Sequence, residues 1–147
     1  MTADVRLTDT TFDPAALLAA FTGRFGSAGG VVSFLGQVRG GDGVEALELR
    51  HYAPLTLPGM EALAATALGR WHLEGLLVIH RHGVMVPGDP IVMVAVAARH
   101  RRDAFAATDF VMDHLKSDSW FWKREKTAQG WRWIEPRSED FADRARW

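Results

Sequence analysis

Residues 75–98 read GLLVIHRHGVMVPGDPIVMVAVAA. Two apolar runs rich in Val and Ile, Gly75–Met85 and Pro90–Ala98, stand on either side of the turn sequence Pro87-Gly88-Asp89. Apolar runs of this length between turn residues are typical of buried strands. A connection this short joins strands that run in opposite directions. We therefore predict an antiparallel pair at the centre of the fold.

Further strands and helices surround this pair in no regular alternation. The remaining predicted strands are Val5–Leu7, Val31–Val38, Val44–Tyr52, Trp120–Lys126 and Trp131–Ile134, the last two forming a hairpin. Helices are predicted from Asp13-Pro14, from Thr56 or Pro58 through Leu68, from Arg101 or Arg102 to about Ser117, and as a last turn within Ser138–Trp147. Helices mixed with hairpins indicate the α+β class, and we expect one domain over residues 1–147.

The composition excludes several classes of protein. Hydrophobic residues make up 48% and charged residues 24%, values that belong to globular rather than disordered chains. The net charge of −1 argues against a protein that binds nucleic acid over its whole surface. Without cysteine the chain has no disulfide and no thiol chemistry of its own, so we expect a reducing, cytoplasmic location. No apolar run of about 18 residues predicts a membrane span.

Two basic segments are candidates for binding an anion. Arg99-His100-Arg101-Arg102 lies where a strand gives way to a helix, and a helix N-terminus with arginine side chains favours phosphate or carboxylate. Gln37-Val38-Arg39 precedes the flexible loop Gly40–Gly43, where Arg39 can clamp an anion that the glycines allow to approach. At both places an ordinary solvated turn is the alternative interpretation.

Two lysines on consecutive elements form a third candidate. Lys116 lies near the end of the long predicted helix, and Lys123 lies in the strand that follows. An amine in a partly buried, cationic pocket has a lowered pKa and can act as an acid, a base or a nucleophile. Taken singly, each lysine also fits a surface position, so the pair remains a hypothesis from spacing alone.

Histidine and tryptophan patterns favour structural roles. His80 and His82 share one face of a strand, but no third ligand has suitable spacing, so we predict no metal site. Four tryptophans are concentrated in the predicted hairpin, where packing on the core is favoured over stacking on a ligand ring: Trp120, Trp122, Trp131 and Trp133.

Taken together, several stretches resemble the catalytic, large subunit of molybdopterin synthase. The more specific ones are His100-Arg101 followed by Ala104-Phe105, and Phe110–Lys116 followed by Phe121-Trp122-Lys123-Arg124-Glu125. The supporting ones are Gly30–Arg39, Leu47–Tyr52, and Val78–Gly83 with Pro87-Gly88-Asp89. The resemblance runs from about Val5 to Trp147, and its last two motifs are specific in their combination and order.

This resemblance implies an α/β hammerhead-like two-layer fold with an additional antiparallel β subdomain. It implies a homodimer that binds a small ubiquitin-like subunit at each end, giving a heterotetramer. The small subunit ends in Gly-Gly and carries sulfur as a thiocarboxylate. The sulfur is transferred to cyclic pyranopterin monophosphate, which becomes molybdopterin, and no further cofactor is implied.

The resemblance also implies the site residues. Lys116 and Lys123 match the two active-site lysines, in roles that the sequence leaves undivided. Substrate binding is expected at Gln37, Val38, Arg39, His100, Arg101, Lys116, Lys123, Arg124 and Glu125, and no metal ligand is expected. Because family pockets draw on both protomers, His100 and Arg101 are expected to serve the other protomer's site.

Two other functions compete with this interpretation. A non-catalytic module could use the same basic pocket to bind a pterin or a phosphate. A single-strand nucleic-acid binder could use the hairpin tryptophans with nearby cations. Between Arg99 and Arg132, however, eight Lys and Arg against five Asp and Glu leave an excess of only three, which suits a small anion better than a long strand.

Overall fold

The structure is a computed structural model that describes residues 3–118, 120–135 and 137–147. Its strands are β1 Asp4–Thr8, β2 Gly30–Gln37, β3 Ala46–His51, β4 Leu73–Arg81, β5 Gly83–Met85, β6 Pro90–Ala98, β7 Phe121–Thr127 and β8 Gly130–Ile134. Its helices are α1 Pro14–Arg24, α2 Ala53–Arg70, α3 Arg101–Ser117 and α4 Ser138–Ala145. Within the described ranges, no helix is long and apolar enough to cross a membrane.

The predicted antiparallel pair is confirmed as the centre of the first sheet. This sheet has the strand order β1-β4-β6-β2, and β4 pairs with β6 in antiparallel register, with Val78 opposite Val94. Almost every residue of β4 and β6 is buried, because helices cover both faces. Phe21 of α1 packs with Leu77 on one face, while α2 and α3 pack with Val94 on the other. The parallel pairing of β1 with β4 makes the sheet mixed.

A second, antiparallel sheet begins where the first apolar run was predicted to continue. Gly75–Met85 is not one strand, because the chain turns after Arg81 at Gly83, whose φ is +96°. Glycine adopts this left-handed conformation at little cost. The turn sends β5 away from β4 to pair with β3, giving a sheet of order β5-β3-β7-β8. The α+β class is confirmed, with the second sheet as the antiparallel subdomain.

Helix α2 begins earlier than predicted. It starts at Ala53 rather than at Thr56 or Pro58, and the first bonds from Leu55 and Thr56 reach the carbonyl of Tyr52. Pro54 occupies the first turn, a position that proline favours. Pro58 therefore lies inside the helix, where it contributes no backbone N–H.

The tryptophan prediction is wrong for three of the four residues. Trp122, Trp131 and Trp133 are exposed, Trp122 by 51% and Trp133 by 57%. They lie on the outer face of the second sheet, where the Arg124 guanidinium sits 4.5 Å from the Trp131 ring centre. Arginine stacking there replaces burial in the core. Trp120 alone packs against the main core.

His80 of β4 joins the two sheets. Its ring stacks on Phe121 of β7, with ring centres 4.0 Å apart and planes 15° apart. The His80 Nδ1 lies 2.8 Å from the Arg81 carbonyl oxygen, and because a carbonyl only accepts, Nδ1 carries the proton and donates it. Burial lowers the pKa of His80 to about 3, so the ring is neutral at pH 7.

Two glycines of α2 provide a matched test of packing. A Cβ at Gly59 would lie 2.5 Å from Trp120 Nε1, so Gly59→Ala forces the indole to move and should destabilise the protein by about 1–3 kcal/mol. A Cβ at Gly69 meets nothing within 4 Å, so Gly69→Ala should stabilise the same helix by up to about 1 kcal/mol. Urea unfolding measures both; effects of the same sign would contradict the placement of Trp120 on α2.

The buried neutral His80 predicts how stability depends on pH. Below pH 6.5 the His80 side chain is protonated in the unfolded chain, whereas in the folded protein it stays neutral down to about pH 3. The free energy of unfolding therefore falls as the pH falls from 6.5 toward 3. Between pH 7 and 5 this loss should be about 2 kcal/mol. Urea unfolding at both pH values should show that His80→Gln removes this share of the loss. The control is His72→Gln, at an exposed position, in which the loss of stability between pH 7 and 5 should remain as in wild type. Equal losses in His80→Gln and wild type would contradict the burial of a neutral ring.

Candidate active site

A cavity of about 590 Å³ opens between the end of α3 and the inner face of the second sheet. This is within the usual size range for small-ligand sites. Its apolar walls come from both sheets and α3: Leu47, Leu49, Ile91, Leu115 and Phe121. Its polar side chains are His80, Lys116, Asp118, Lys123, Glu135 and Asp140. An apolar cleft with a few convergent charged groups is the usual form of a ligand site.

The two lysines predicted from sequence meet in this cavity. Lys116 is in the last turn of α3, and Lys123 lies opposite Leu49 on the inner face of β7. The Lys116 side chain is exposed as a whole, yet the cavity walls shield its amine from water. That desolvation, followed by the charge of Lys123, lowers the pKa of Lys116, while Asp140 opposes the shift. The amine is thereby closer to releasing a proton at neutral pH.

Acidic residues of the cavity escaped the sequence analysis. Burial raises the pKa of Asp118, although Arg144 of α4 pairs with it at 3.0 Å and opposes the shift. Asp140 of α4 pairs with Arg137 at 3.0 Å, and Phe141 lies beside it in the cavity wall. The tail was predicted only as a last helical turn. The sequence Ser-Glu-Asp at the start of α4 is a signal for a helix N-terminus, but it does not indicate that the helix packs near the two lysines.

Gln37, Val38 and Arg39 lie together where β2 ends. Val38 is buried, and its backbone bonds to the turn before β6: its N–H donates to the Asp89 carbonyl, and its own carbonyl accepts from Gly88, both at 2.9 Å. Gln37 and Arg39 are exposed. Gly41, Asp42 and Gly43 have positive φ, so the loop turns away sharply after Arg39. Arg39 is not part of the cavity wall, but it leaves β2 near the start of β6, where Ile91 is.

The structure does not place Arg124 or Glu125 in the cavity wall. Arg124 lies opposite Glu48 on the outer face of the second sheet and forms an ion pair with it. Glu125 faces inward with Lys123, but its carboxylate accepts hydrogen bonds from Arg132. Their proposed contact with substrate therefore stays a prediction that the cavity does not support directly.

His100 and Arg101 lie far from the lysines within one chain. Both are exposed at the start of α3, whereas Lys116 is at its other end. Arg101 and Lys116 are 15 residues apart on one straight element, a rise of about 22 Å. Neither His100 nor Arg101 lines the cavity that holds the lysines. If all these groups serve one ligand, a second copy of the chain must supply His100 and Arg101.

The histidines do not form a metal site in the structure. His80 is buried in the stack on Phe121, while His82 contacts His51 edge to face. In the part of the chain that the structure describes, there is no group of three or more His, Asp or Glu that could hold a metal ion.

Comparisons with known proteins agree on one family. The family model described as MoaE protein matches residues 7–118. The chain is 45% identical over 146 residues to a molybdopterin synthase catalytic subunit from Ralstonia nicotianae, covering 97% of this chain and 83% of the relative. A molybdopterin biosynthesis MoaE protein from Burkholderia ambifaria has the same fold, with a TM-score of 0.83 and 44% identity over 99% of this chain and 98% of that one.

A more distant structure shares the fold alone. It is a complex of subunits 1 and 2 of molybdopterin-converting factor from Helicobacter pylori, with a TM-score of 0.79 and 19% identity over 91% of this chain and 92% of that one. The family model and the close relatives each cover most of the sequence. The chain therefore belongs to the MoaE family, the catalytic subunits of molybdopterin synthase.

Proposed function

We propose that this chain is the catalytic subunit of a cytoplasmic molybdopterin synthase. It takes sulfur from the C-terminal thiocarboxylate of a small ubiquitin-like subunit and transfers it to cyclic pyranopterin monophosphate. The observation that carries the proposal is the pair of amines, Lys116 and Lys123, in one cavity. This sequence has no cysteine, so sulfur has to arrive on a partner rather than on a thiol of its own.

A small partner subunit fits the structural comparisons. The Helicobacter pylori structure of the same fold is a complex between two subunits of the converting factor. By analogy, the partner's Gly-Gly tail would enter the cavity, because a chain of two glycines passes through narrow openings. The thiocarboxylate at its end is an anion, and the lysine pair gives the cavity a positive centre to receive it.

The lysines suit the chemistry of the transfer. Sulfur forms a bond to a carbon of the pyranopterin, the oxygen substituent on that carbon leaves as water, and the bond between sulfur and the acyl carbon breaks. Water supplies the oxygen that returns the partner's terminus to a carboxylate. Negative charge develops on the acyl group during this step, and a positively charged or proton-donating amine at Lys116 stabilises it. Lys123 keeps the substrate aligned for attack.

The phosphate of the substrate needs cationic groups outside the cavity. Arg39 is exposed near the start of β6, and it belongs to the same chain as the lysines. The other groups are His100 and Arg101 of the partner subunit in a homodimer, at the N-terminus of its α3. His100 makes no side-chain cap there, so backbone N–H groups of that first turn are available to an anion.

The lysines provide the first test. In single turnover with preformed thiocarboxylate partner, Lys116→Ala should lose about 10²–10³ in rate, because a preorganised donor is removed. Lys116→Arg should not rescue, since a guanidinium does not release its proton, and Lys123→Ala should also be severely impaired. Lys126→Ala is the matched control, because Lys126 lies on the same strand and is exposed on its other face.

The fold and the complex with the small subunit should persist in all four variants. Near-wild-type turnover by Lys116→Ala would remove its catalytic role and leave a non-catalytic binding module as the better description.

Heterodimers test whether one site uses two protomers. Two differently tagged copies, one with Lys116→Ala and one with Arg101→Ala, are co-expressed and purified through both tags. If each site takes Lys116 from one protomer and Arg101 from the other, one of the two sites keeps both residues and the other loses both. We therefore expect about half of the wild-type rate at low substrate concentration.

The control heterodimer pairs wild type with the double variant Arg101→Ala/Lys116→Ala. Both of its sites lose one residue if the site is shared, so its rate should be at least about tenfold lower. The reverse ranking of the two heterodimers would show that each site is built within one chain.

A further inference from the structure

One nitrogen of the His80 ring has no hydrogen-bond partner among the residues that the structure describes. His80 is only 3% exposed, and its side chain lines the cavity. Its Nδ1 donates to the Arg81 carbonyl, while Nε2 has no hydrogen bond to any described residue. The fully buried side-chain nitrogens without a partner in the described structure belong to His51 and Arg81, not to His80. The small exposed part of His80 lies at the cavity, which its side chain lines.

Nε2 of His80 is a hydrogen-bond acceptor with no donor among the described residues. Since Nδ1 carries the ring proton, Nε2 of the neutral imidazole has a free lone pair. The low pKa of His80 keeps the ring neutral at physiological pH, so Nε2 accepts hydrogen bonds but does not act as a base there. Apart from His80, the polar side chains of the cavity wall are two lysines and three carboxylic acids. His80 is thus the neutral acceptor of the described wall.

The ring is also held firmly in place. Phe121 stacks on its face at 4.0 Å, and the bond to the Arg81 carbonyl fixes its rotation. An acceptor held without a donor costs free energy, unless water or a ligand supplies one. Neither Lys116 nor Lys123 bonds to Nε2 in the structure. A preorganised lone pair beside an apolar wall suits the edge of a flat ring that presents an N–H.

Within the proposed function, we propose that His80 Nε2 accepts a hydrogen bond from an N–H of the substrate's pterin ring and so sets the orientation of that ring in the cavity. The pterin lies against the apolar wall of Leu49, Ile91 and Phe121, and its N–H edge faces His80. This contact orients the carbon that receives sulfur toward Lys116. No bond is made or broken at His80.

Two substitutions at His80 distinguish the roles of Nδ1 and Nε2. In His80→Asn the amide NH₂ occupies roughly the position of Nδ1 and can still donate to Arg81, but nothing replaces Nε2. In His80→Gln the longer side chain can place its amide oxygen near Nε2, while the bond to Arg81 is lost. Cyclic pyranopterin monophosphate binding is measured by calorimetry on the homodimer without the small subunit.

We expect the two variants to differ in their affinity for the pterin. His80→Asn should weaken binding of the pterin about tenfold or more, and His80→Gln should remain within a few-fold of wild type. Binding of the small subunit should be unchanged in both. The reverse ranking would show that only the backbone bond to Arg81 matters and would overturn the proposal. Loss of small-subunit affinity with intact pterin binding would assign Nε2 to the partner's tail, and would equally overturn it.

Wild-type protein offers a second measurement that needs no variant. With ¹⁵N-labelled histidine, the Nε2 resonance of His80, assigned through its contacts with Phe121, should shift when cyclic pyranopterin monophosphate is added, while Nδ1 stays protonated. An unmoved Nε2 resonance at saturating pterin would overturn the proposal. Turnover of wild type with the thiocarboxylate partner tests the proposed function separately, because it does not depend on His80 variants.

Discussion

The burial of β4 and β6 on both faces is the constraint on which the rest of the structure depends. With helices covering each face, the chain that leaves β6 at Ala98 returns over the sheet as α3, whose residues Ala104, Ala107 and Val111 are buried. This return brings Lys116 back to the start of β6, beside Ile91, and leaves Arg101 at the far end of the helix. Separation of His100 and Arg101 from the amines is therefore a consequence of core packing. We propose that a second protomer supplies His100 and Arg101 to the lysines without any change in the fold.

Ion pairs and aromatic packing of the C-terminal segment together hold α4 at the cavity. No residue of α4 is buried, yet the segment after it is anchored to α3 by Arg146, which pairs with Asp109 and Asp113. Trp147 donates its indole N–H to the same Asp113 carboxylate and packs edge to face on Phe110. These contacts hold Asp140 near Lys116, where its carboxylate partly offsets the repulsion between the two amines. Exposed ion pairs are individually weak, so the network as a whole, not any one pair, holds α4 at the cavity.

Much of the fold could be predicted from local sequence, because its signals are local. The turn Pro87-Gly88-Asp89, the start of α1 after Asp13 and the bounds of α3 each depend on signals within a few residues, and all three are confirmed. The break at Gly83 and the exposure of Trp133 depend on which strand becomes a neighbour, and no local pattern carries that information. The same division holds for the cavity. Lys116, Asp118 and Lys123 are close in sequence, whereas His80 and Asp140 come from two other segments.

The electrostatic character of the cavity follows from the sulfur source. A catalyst with its own thiolate would need groups that stabilise that anion permanently, whereas a chain without cysteine needs positive charge only when the partner's thiocarboxylate is present. In the proposed mechanism two amines in one cavity meet this need, because desolvation, followed by the charge of Lys123, lowers the pKa of Lys116 and makes its charged form costlier in the absence of an anion. An anion near the amine opposes this shift, so binding of the thiocarboxylate would stabilise the charged form. In our proposal His80 stays neutral throughout, and its Nε2 accepts a hydrogen bond from the uncharged ring of the substrate.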